Sequence, residues 1–462
     1  MVELRLDEIA ARTAGRIVQG NPSSLFQAFN IDSRLSQRGE LFFAVVAKRD
    51  GHEFIPDAAR KGASGAVISR DIKPVDQGFS LVRVSDTVAA LQALARSVLD
   101  EYRPRVVGIT GSIGKTTTKE FTAGLLSQRF RVLKSEGNFN NRLGLALSLL
   151  KFRPDQEMAV LEMGTSGPGE ILALTSTAPP DVAVITNINP VHLEFFHTLE
   201  AIAQAKKEIL DGAKPDGTAV LNGDDDRVKE IGRSWKGRQI TFGFSGGCDV
   251  QAAAVRKLGA AGMVFKLRLE ERTEEVRFPF FYEDFLSNLL AAVGASHALS
   301  LPFDVIIEGI PRLSQFPGRG RLINLGHGRR LIDDSYNSSP KALEAALGGL
   351  ASFPAKRRIA VLGDMLELGP EEIFFHRRAG KHVADHGWDV LVAIGTLARH
   401  IAEGALAAGF PETQVHTFAT SEEAAARISA LVEGGDLILV KGSRGIKTER
   451  LVERLEDDFK ES

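Results

Sequence analysis

The sequence predicts an α/β protein built from three domains, and three observations carry that expectation. At 462 residues the chain is too long for one ordinary core, since about 150 residues per domain is usual and two to four domains would follow. From Val106 onward short apolar runs alternate with helix-length segments, which is the pattern of parallel sheets covered by helices. The Gly/Pro-rich stretch Phe316-Pro317-Gly318-Arg319-Gly320 interrupts that alternation and marks a boundary. The expected divisions are 1–84, 85–314 and 315–462.

Composition bounds the class of function. Hydrophobic residues make up 44% and charged residues 25%, the balance of a soluble globular protein in which each domain can bury a core. Lys plus Arg number 57 against 59 for Asp plus Glu, so no general field exists to hold a nucleic acid. Cys248 is the single cysteine; a disulfide framework is excluded, and no Cys/His spacing suggests zinc. Asp7, Glu8, Arg12 and Arg16 break residues 1–20, which therefore read as neither signal peptide nor membrane anchor. A cytoplasmic monomer with no nucleic-acid or membrane partner is expected.

In the first domain the apolar runs Leu41 to Ala47 and Gly65 to Ile68, with the turn cluster Asn21-Pro22-Ser23-Ser24, predict a small α/β unit. From Thr87 to Tyr102 the spacing of Val88, Leu91, Leu94, Ala95 and Val98 predicts a connecting helix, with Pro104 beyond its end. The second domain has strand runs at Val106 to Thr110, Ala159 to Glu162 and Val182 to Thr186. Beyond the break, Leu331-Ile332, Ile359 to Leu362, Val390 to Ile394 and Leu437 to Val440 predict a second α/β series. No short repeat or low-complexity segment intervenes.

One segment carries chemistry plainly. Val106 to Thr118 is a strand entering a glycine loop and then a helix, with Gly111, Ser112, Gly114, Lys115, Thr116 and Thr117 in the loop and helix start. Glycines let backbone N–H groups approach phosphate oxygens, Lys115 supplies charge, and the Thr116 hydroxyl suits magnesium. The helix N-terminus adds its dipole. The usual pattern has its first glycine at position 109, where this chain has Ile109; the match is to the shorter Gly-x-x-Gly-Lys-Thr form. In a doubly wound sheet ligands lie beyond the carboxyl ends of the strands, which is where Glu162, Asn187, Asn189 and His192 fall. A lone Glu or His at a strand end is as often structural, and magnesium seldom uses His.

Over nearly the whole chain these residues resemble the Mur ligase family of bacterial cell-wall enzymes. The central resemblance lies in Gly108 to Thr118, Glu162-Met163-Gly164 and Asn187 to Glu194. Before it stand Asp32-Ser33-Arg34 and Asp50 to Ile55, and after it Asp333-Asp334-Ser335-Tyr336-Asn337 and Lys441-Gly442-Ser443-Arg444. Gly137-Asn138-Phe139-Asn140-Asn141, Gly164 to Ile171, Asp334 to Pro340 and Val361 to Gly369 are similar to the branch that adds D-alanyl-D-alanine. The sibling that adds the third peptide residue usually carries Asp-Asn-Pro-Arg, which is absent from this sequence; it remains the alternative.

The resemblance implies a UDP-sugar-binding N-terminal domain, a central P-loop ATPase domain and a C-terminal Rossmann-like domain. It implies ATP-dependent joining of D-alanyl-D-alanine to a UDP-N-acetylmuramoyl-tripeptide through an acyl phosphate, with Lys115, His192, Lys206 and Asp334 in catalysis. Ser33, Arg34, Asp50, His52, Asn138, Asn140, Asn141, Tyr336 and Asn337 would bind substrates. Two magnesium ions are implied, one at Thr116 and a second at Glu162, His192 and Lys206. Asn288 would approach adenine, and Arg321 and Asp334 would meet the nucleotide from the far side of the cleft. On charge alone Arg321 reads as part of a solvated run with Arg319, Arg329 and Arg330. Tyr336 and Asn337 could equally pack a turn, and Lys441, Ser443 and Arg444 could equally begin a helix with a capping serine.

Lys206 is separable from its neighbour by geometry. Ile202, Ala205, Ile209 and Leu210 form an apolar helical stripe; Lys206 falls on it and Lys207 is rotated away. Thr198 is the expected N-cap. Partial burial lowers an amine's pKa, and only the neutral amine takes up carbon dioxide to become a carbamate. The resemblance points to the same lysine, at the first position of Lys-x-Glu-Ile, as a carbamylated one. An unmodified lysine pairing with Glu162 or a phosphate is the alternative reading.

Two departures stand out. Relatives usually have His-Asn where this chain has Asp284-Phe285, ahead of Ser287-Asn288. Val46-Ala47-Lys48-Arg49 stands where a glycine often precedes Asp50-Gly51-His52. A phosphate loop alone would also suit a GTPase-like switch or a kinase, the rival class.

Overall fold

Apolar runs that end in glycine or a turn become strands here, and the helices between them cover both faces of each large sheet. The computed structural model describes residues 2–73, 76, 78–190, 196, 198–351 and 353–459. In the N-terminal part a five-stranded sheet runs in the order Arg16–Gln19, Ser80–Arg83, Gly65–Ile68, Glu40–Phe43, Ala28–Asn30. The apolar run that continues to Ala47 leaves the sheet at Phe43. Val45 turns there so that its carbonyl accepts from Gly51 N at 2.9 Å.

The connecting helix is Thr87–Tyr102, and the Asp86 carboxylate caps it by accepting from Val88 N and Ala89 N, a contact that contributes about 1 kcal/mol. Its buried Leu91, Leu94 and Val98 join one continuous core with Leu4 and Phe26 of the N-terminal part and with Leu145, Leu161 and Ile185 of the central sheet. That shared core ties the first sheet to the second.

Among the described residues the central sheet has nine strands. Arg105–Thr110 lies between Met158–Glu162 and Val182–Ile185, parallel to both. The chain moves to one side of it and then to the other, so a topological switch point falls at the end of Arg105–Thr110. The opposite edge, Val250–Lys257, Met263–Leu269 and Arg272–Phe278, is paired antiparallel. A six-stranded sheet follows, in the order Arg321–Asn324, Arg330–Asp334, Asp436–Lys441, Arg357–Gly363, Val390–Ile394, Val415–Phe418. Its switch point brings the ends of Arg330–Asp334, Asp436–Lys441 and Arg357–Gly363 side by side. Among the described residues no helix is long and apolar enough to cross a membrane.

Candidate active site

The loop after Arg105–Thr110 is held in a shape that only glycine permits at two positions. Gly111 has φ +144° and a Cβ there would lie 1.9 Å from Thr186 Oγ1; Gly114 has φ +86° and its Cβ would lie 2.1 Å from Asn288 Oδ1. The strand end Thr186 to Asn189 braces the loop. Ser112 N donates to Asn187 O at 3.0 Å, Ile113 N to Asn187 Oδ1 at 3.0 Å, and Thr186 Oγ1 to Ile113 O at 2.7 Å. The loop's shape is therefore braced by the protein's own bonds. Lys115 Nζ folds back on the carbonyls of Gly111 and Ser112, at 2.8 and 3.1 Å. Burial lowers the Lys115 pKa, the Glu162 carboxylate pulls it back up, and the Arg319 guanidinium lowers it further.

Glu162, at the end of its strand, is 3% exposed. One carboxylate oxygen accepts from Thr116 Oγ1 and the other from Asn140 Nδ2, both at 2.8 Å. Behind it, Glu162 N donates to Ser135 Oγ at 3.0 Å, and the buried Lys119 Nζ donates to Ser135 O at 2.7 Å. The resemblance divided Thr116 and Glu162 between two ions, yet these side chains touch. A hydroxyl that donates its proton to Glu162 keeps its lone pairs for a cation, and a carboxylate with two partners keeps acceptor capacity. This hard-oxygen donor set fits magnesium, which retains several waters. Among the described residues no group of three or more His, Cys, Asp or Glu could hold a metal; His192 lies outside the described residues.

Lys206 enters from the helix Leu199–Asp211, whose N-cap Thr198 accepts from Ala201 N. It is 1% exposed. Burial first, and then the Lys115 ammonium, push its pKa well below the ordinary lysine value, against the opposing pull of Glu208 and Glu170. Lys207, one residue on, pairs with Asp211. Glu208 caps the helix Glu170–Thr177, accepting from Gly169 N at 2.6 Å and Leu172 N at 3.1 Å.

The C-terminal sheet presents a second set of groups. Asp334 and Lys441 end neighbouring parallel strands and are 8% and 4% exposed; Lys441 Nζ donates to Asp334 Oδ2 at 2.6 Å and to Asn337 O at 3.1 Å. Burial raises the Asp334 pKa against the pull of the Lys441 ammonium. Breaking such a pair leaves an uncompensated buried charge, at a cost of about 3–5 kcal/mol. The Tyr336 ring lies 4.1 Å from the Arg319 guanidinium and 5.6 Å from that of Arg444. Arg319 Nη2 in turn reaches Thr116 Oγ1 at 3.5 Å. The two sheets thus face each other with the phosphate loop between them.

Residues 109–296 match the Mur ligase middle domain and residues 318–444 the Mur ligase glutamate ligase domain. The chain is 34% identical over 460 residues to the UDP-N-acetylmuramoyl-tripeptide--D-alanyl-D-alanine ligase of Bacillus subtilis, covering 98% of this chain and 99% of that one. The chain belongs to the Mur ligase family. Crystal structures of two relatives share the fold of this Mur ligase. MurF from Acinetobacter baumannii superposes with a TM-score of 0.91 at 30% identity, over 99% of both chains. MurF from Thermotoga maritima in complex with ADP gives 0.80 at 31% identity, over 94% of this chain and 98% of that one.

Within this Mur ligase the site residues read from sequence separate into groups. Gly111, Ser112, Gly114, Lys115, Thr116, Glu162 and Asn140 converge on the phosphate-loop edge, and Lys206 is buried near enough to feel the Lys115 charge; Thr117 is buried inside the helix Lys115–Leu126. Asn288 abuts Gly114, and its Oδ1 lies 3.5 Å from Thr118 Oγ1. Asn140 touches Glu162 rather than standing free, and Asn141 caps the helix Arg142–Leu150 through Gly144 N at 2.9 Å. Asn138 is exposed in the preceding loop.

In the N-terminal sheet Ser33 Oγ donates to Asp57 at 2.9 Å, and Arg34 pairs with Asp32 at 2.6 Å. His52 Nε2 accepts from Ser69 N at 2.9 Å, so Nδ1 carries the proton that it gives to Asp50 Oδ1 at 2.6 Å.

Arg321 does not reach the phosphate loop: it lies on the edge strand Arg321–Asn324, 3.2 Å from Glu456 and 3.6 Å from Asp333. The side chain at that place is Arg319, which sequence reasoning left in the solvated run. Two positive-φ glycines, Gly318 and Gly320, flank it and turn the chain so that Arg319 and Arg321 leave on different sides. The Lys441–Asp334 pair was also missed, since two strand ends far apart in sequence give no local signal.

Proposed function

We propose that this chain joins D-alanyl-D-alanine to a UDP-N-acetylmuramoyl-tripeptide with cleavage of ATP to ADP and phosphate. The observation that carries the reading is the phosphate loop faced by Glu162 and Lys206 on its own domain and by Arg319 on the C-terminal one. A switch protein has no need of a second sheet closing on the nucleotide. The full-length likeness to D-alanyl-D-alanine-adding relatives favours this activity over that of the sibling adding the third residue.

The tripeptide carboxylate attacks the γ-phosphorus of ATP, ADP leaves, and an acyl phosphate remains. The dipeptide amine then attacks the acyl carbon, loses its proton, and expels phosphate. Neither step needs a covalent enzyme intermediate, so the side chains position the reactants and neutralise charge. Lys115 and the N-terminus of the helix Lys115–Leu126 hold phosphate oxygens. We assign to Arg319 the far-side contact first given to Arg321. Magnesium, held at Thr116 and Glu162 with His192 and a Lys206 carbamate contributing to a second site, would supply further neutralisation of the phosphates. Asp334 and Lys441, buried and paired, flank the approach of the dipeptide amine.

The test is ADP release measured with ATP alone, with either substrate, and with both. Release that requires both the UDP-tripeptide and D-alanyl-D-alanine, together with a UDP-pentapeptide product, is expected. Turnover independent of both would leave the switch or kinase reading standing. Running the assay with tripeptides ending in lysine and in diaminopimelate identifies the third residue.

A further inference from the structure

The helix Pro340–Ala351 begins with a residue that works against its own stability. Lys341 lies in its first turn, and that turn has no acidic residue. A cation there opposes the positive end of the helix dipole, where Asp or Glu would be stabilising. Lys341 is exposed, and its side-chain hydrogen bond leaves its own domain: Nζ donates to Asn189 Oδ1 at 3.4 Å, across 152 residues of sequence.

Asn189 is the end of a relay. Its Nδ2 donates to Asn187 Oδ1 at 2.9 Å, and the same Asn187 oxygen accepts from Ile113 N of the phosphate loop. Asn187 Nδ2 donates to Ile113 O at 3.0 Å. The Asn189 backbone also grips Ser112: Asn189 N donates to Ser112 Oγ at 2.9 Å, and that hydroxyl donates to Asn189 O at 3.0 Å. With Nδ2 spent on Asn187, the free side of the amide is its oxygen, which suits a cation. Arg319 meets the loop at Thr116 and Lys341 meets it at Asn189. The C-terminal domain therefore holds the phosphate loop from two sides.

We propose that Lys341 is a positioning residue for ligation, latching the C-terminal domain to the phosphate loop through Asn189, Asn187 and Ile113. It acts on the reaction through the loop and not by contact with the reacting atoms. Because the bond is long and solvated in the free protein, its effect on folding is small, and its value lies in the substrate-bound arrangement, where water is excluded and a charge-assisted bond strengthens.

The inference rests on the proposed ligase activity, and the parent enzyme serves as its control: a parent that does not ligate overturns that activity, whereas a ligating parent lets the variants judge the latch. Lys341→Met, Lys341→Arg, Asn189→Ala and the double variant Lys341→Met/Asn189→Ala are compared in UDP-pentapeptide formation and in thermal unfolding without ligands. The expected result is about a tenfold fall in kcat for Lys341→Met with KM for ATP changed by less than threefold, recovery to within threefold in Lys341→Arg, and unchanged unfolding. The double variant should be no slower than Asn189→Ala alone, the sign that both residues serve one contact. Lys341→Met at parental rate, a loss that multiplies with that of Asn189→Ala, or a loss accompanied by lowered unfolding temperature would each overturn the proposal.

Discussion

Two adjacent lysines on one helix make the sharpest case for what a single position decides. Lys206 is buried with its pKa pushed well down, while Lys207 pairs with Asp211 at the surface. A depressed pKa enlarges the neutral amine fraction near pH 7, and the neutral amine adds to carbon dioxide, releasing one proton as the carbamate forms. Lys206→Ala should therefore be nearly inactive and partly rescued by acetate, while Lys207→Ala stays within a few-fold of the parent; equal losses would refute the assignment. The arginines at 319 and 321 give a parallel test. Arg319 reaches Thr116, so Arg319→Ala should lower kcat by about 10²–10³-fold, the usual cost of losing one preorganised donor. Arg321 makes a half-buried pair with Glu456, contributing up to about 1 kcal/mol, and Asp333 keeps its bonds from Gly318 N and Ser335 Oγ without it. Arg321→Ala should lower the unfolding temperature by a few degrees and leave ligation within a few-fold. The two lysines were separable in the sequence because helical period fixes direction. The arginines were not, because positive-φ glycines erase any period.

Among the elements, the strand Arg357–Gly363 and the loop that leaves it show how the second half of the site is held. His376 is fully buried in the helix Glu372–Asp385. Its Nε2 accepts from Met365 N at 2.9 Å while Nδ1 donates to Glu372 O at 2.6 Å. Leu366 N donates to Ser443 Oγ at 3.0 Å and Ser443 N to Asp364 O at 3.0 Å, so this loop and the one carrying Lys441 and Arg444 brace each other. Burial lowers the His376 pKa below its ordinary 6.5, outweighing the Glu372 carbonyl and the Asp364 and Glu372 carboxylates that raise it; His400 adds to the lowering. As pH falls below 6.5 the unfolded chain takes up the proton first, so this part of the stability is present above 6.5 and is lost on acidification toward the lower folded value. Denaturant melts from pH 7.5 to 5 should show that loss in the parent and a flatter profile in His376→Gln; identical slopes would exclude His376 as the source. The central strands of both parallel series, such as Arg105–Thr110, Met158–Glu162, Arg357–Gly363 and Val390–Ile394, were legible in the sequence, since buried parallel strands are continuous apolar runs, whereas Val132–Lys134, Thr218–Asn222, Arg238–Gly243 and Val415–Phe418 were not named. The antiparallel edge from Val250 to Phe278 was not, because alternating exposed residues such as Lys266, Glu274 and Arg277 hide its inward face. At the site, single residues beside the glycine loop were readable, whereas Asn140 with Glu162 and Lys441 with Asp334 depend on neighbours that only the folded sheets supply.

At the scale of the whole molecule the two nucleotide-facing sheets communicate through a few groups of known place. The first and central sheets share a core through Leu91, Leu94 and Val98, so their relation is set by burial of apolar side chains. The C-terminal core likewise takes in Phe281 from the end of the central domain, packed against Phe353 at 5.1 Å. Phe121 and Phe280 pack against Phe316 at the boundary and Phe285 packs edge-on against both of them, with ring centroids 4.9 to 6.4 Å apart, and Gly318 and Gly320 follow at φ +75° and +65°. Across the cleft itself the polar reach is Arg319 to Thr116 at 3.5 Å and Lys341 to Asn189 at 3.4 Å. Bonds of that length beside water each hold little free energy, so phosphate charge lying between Lys115 and Arg319 would supply the larger closing force. Ligand-driven closure of this kind commonly gates turnover. Solution scattering should accordingly show a smaller radius of gyration with a non-hydrolysable ATP analogue and UDP-tripeptide together than with neither. In Arg319→Ala the same ligands should bind with much less compaction, because the cation that closes on the phosphates is gone. A parent that does not compact would contradict the two-sided cleft, and an Arg319→Ala variant that compacts as fully as the parent would move the closing force to another residue.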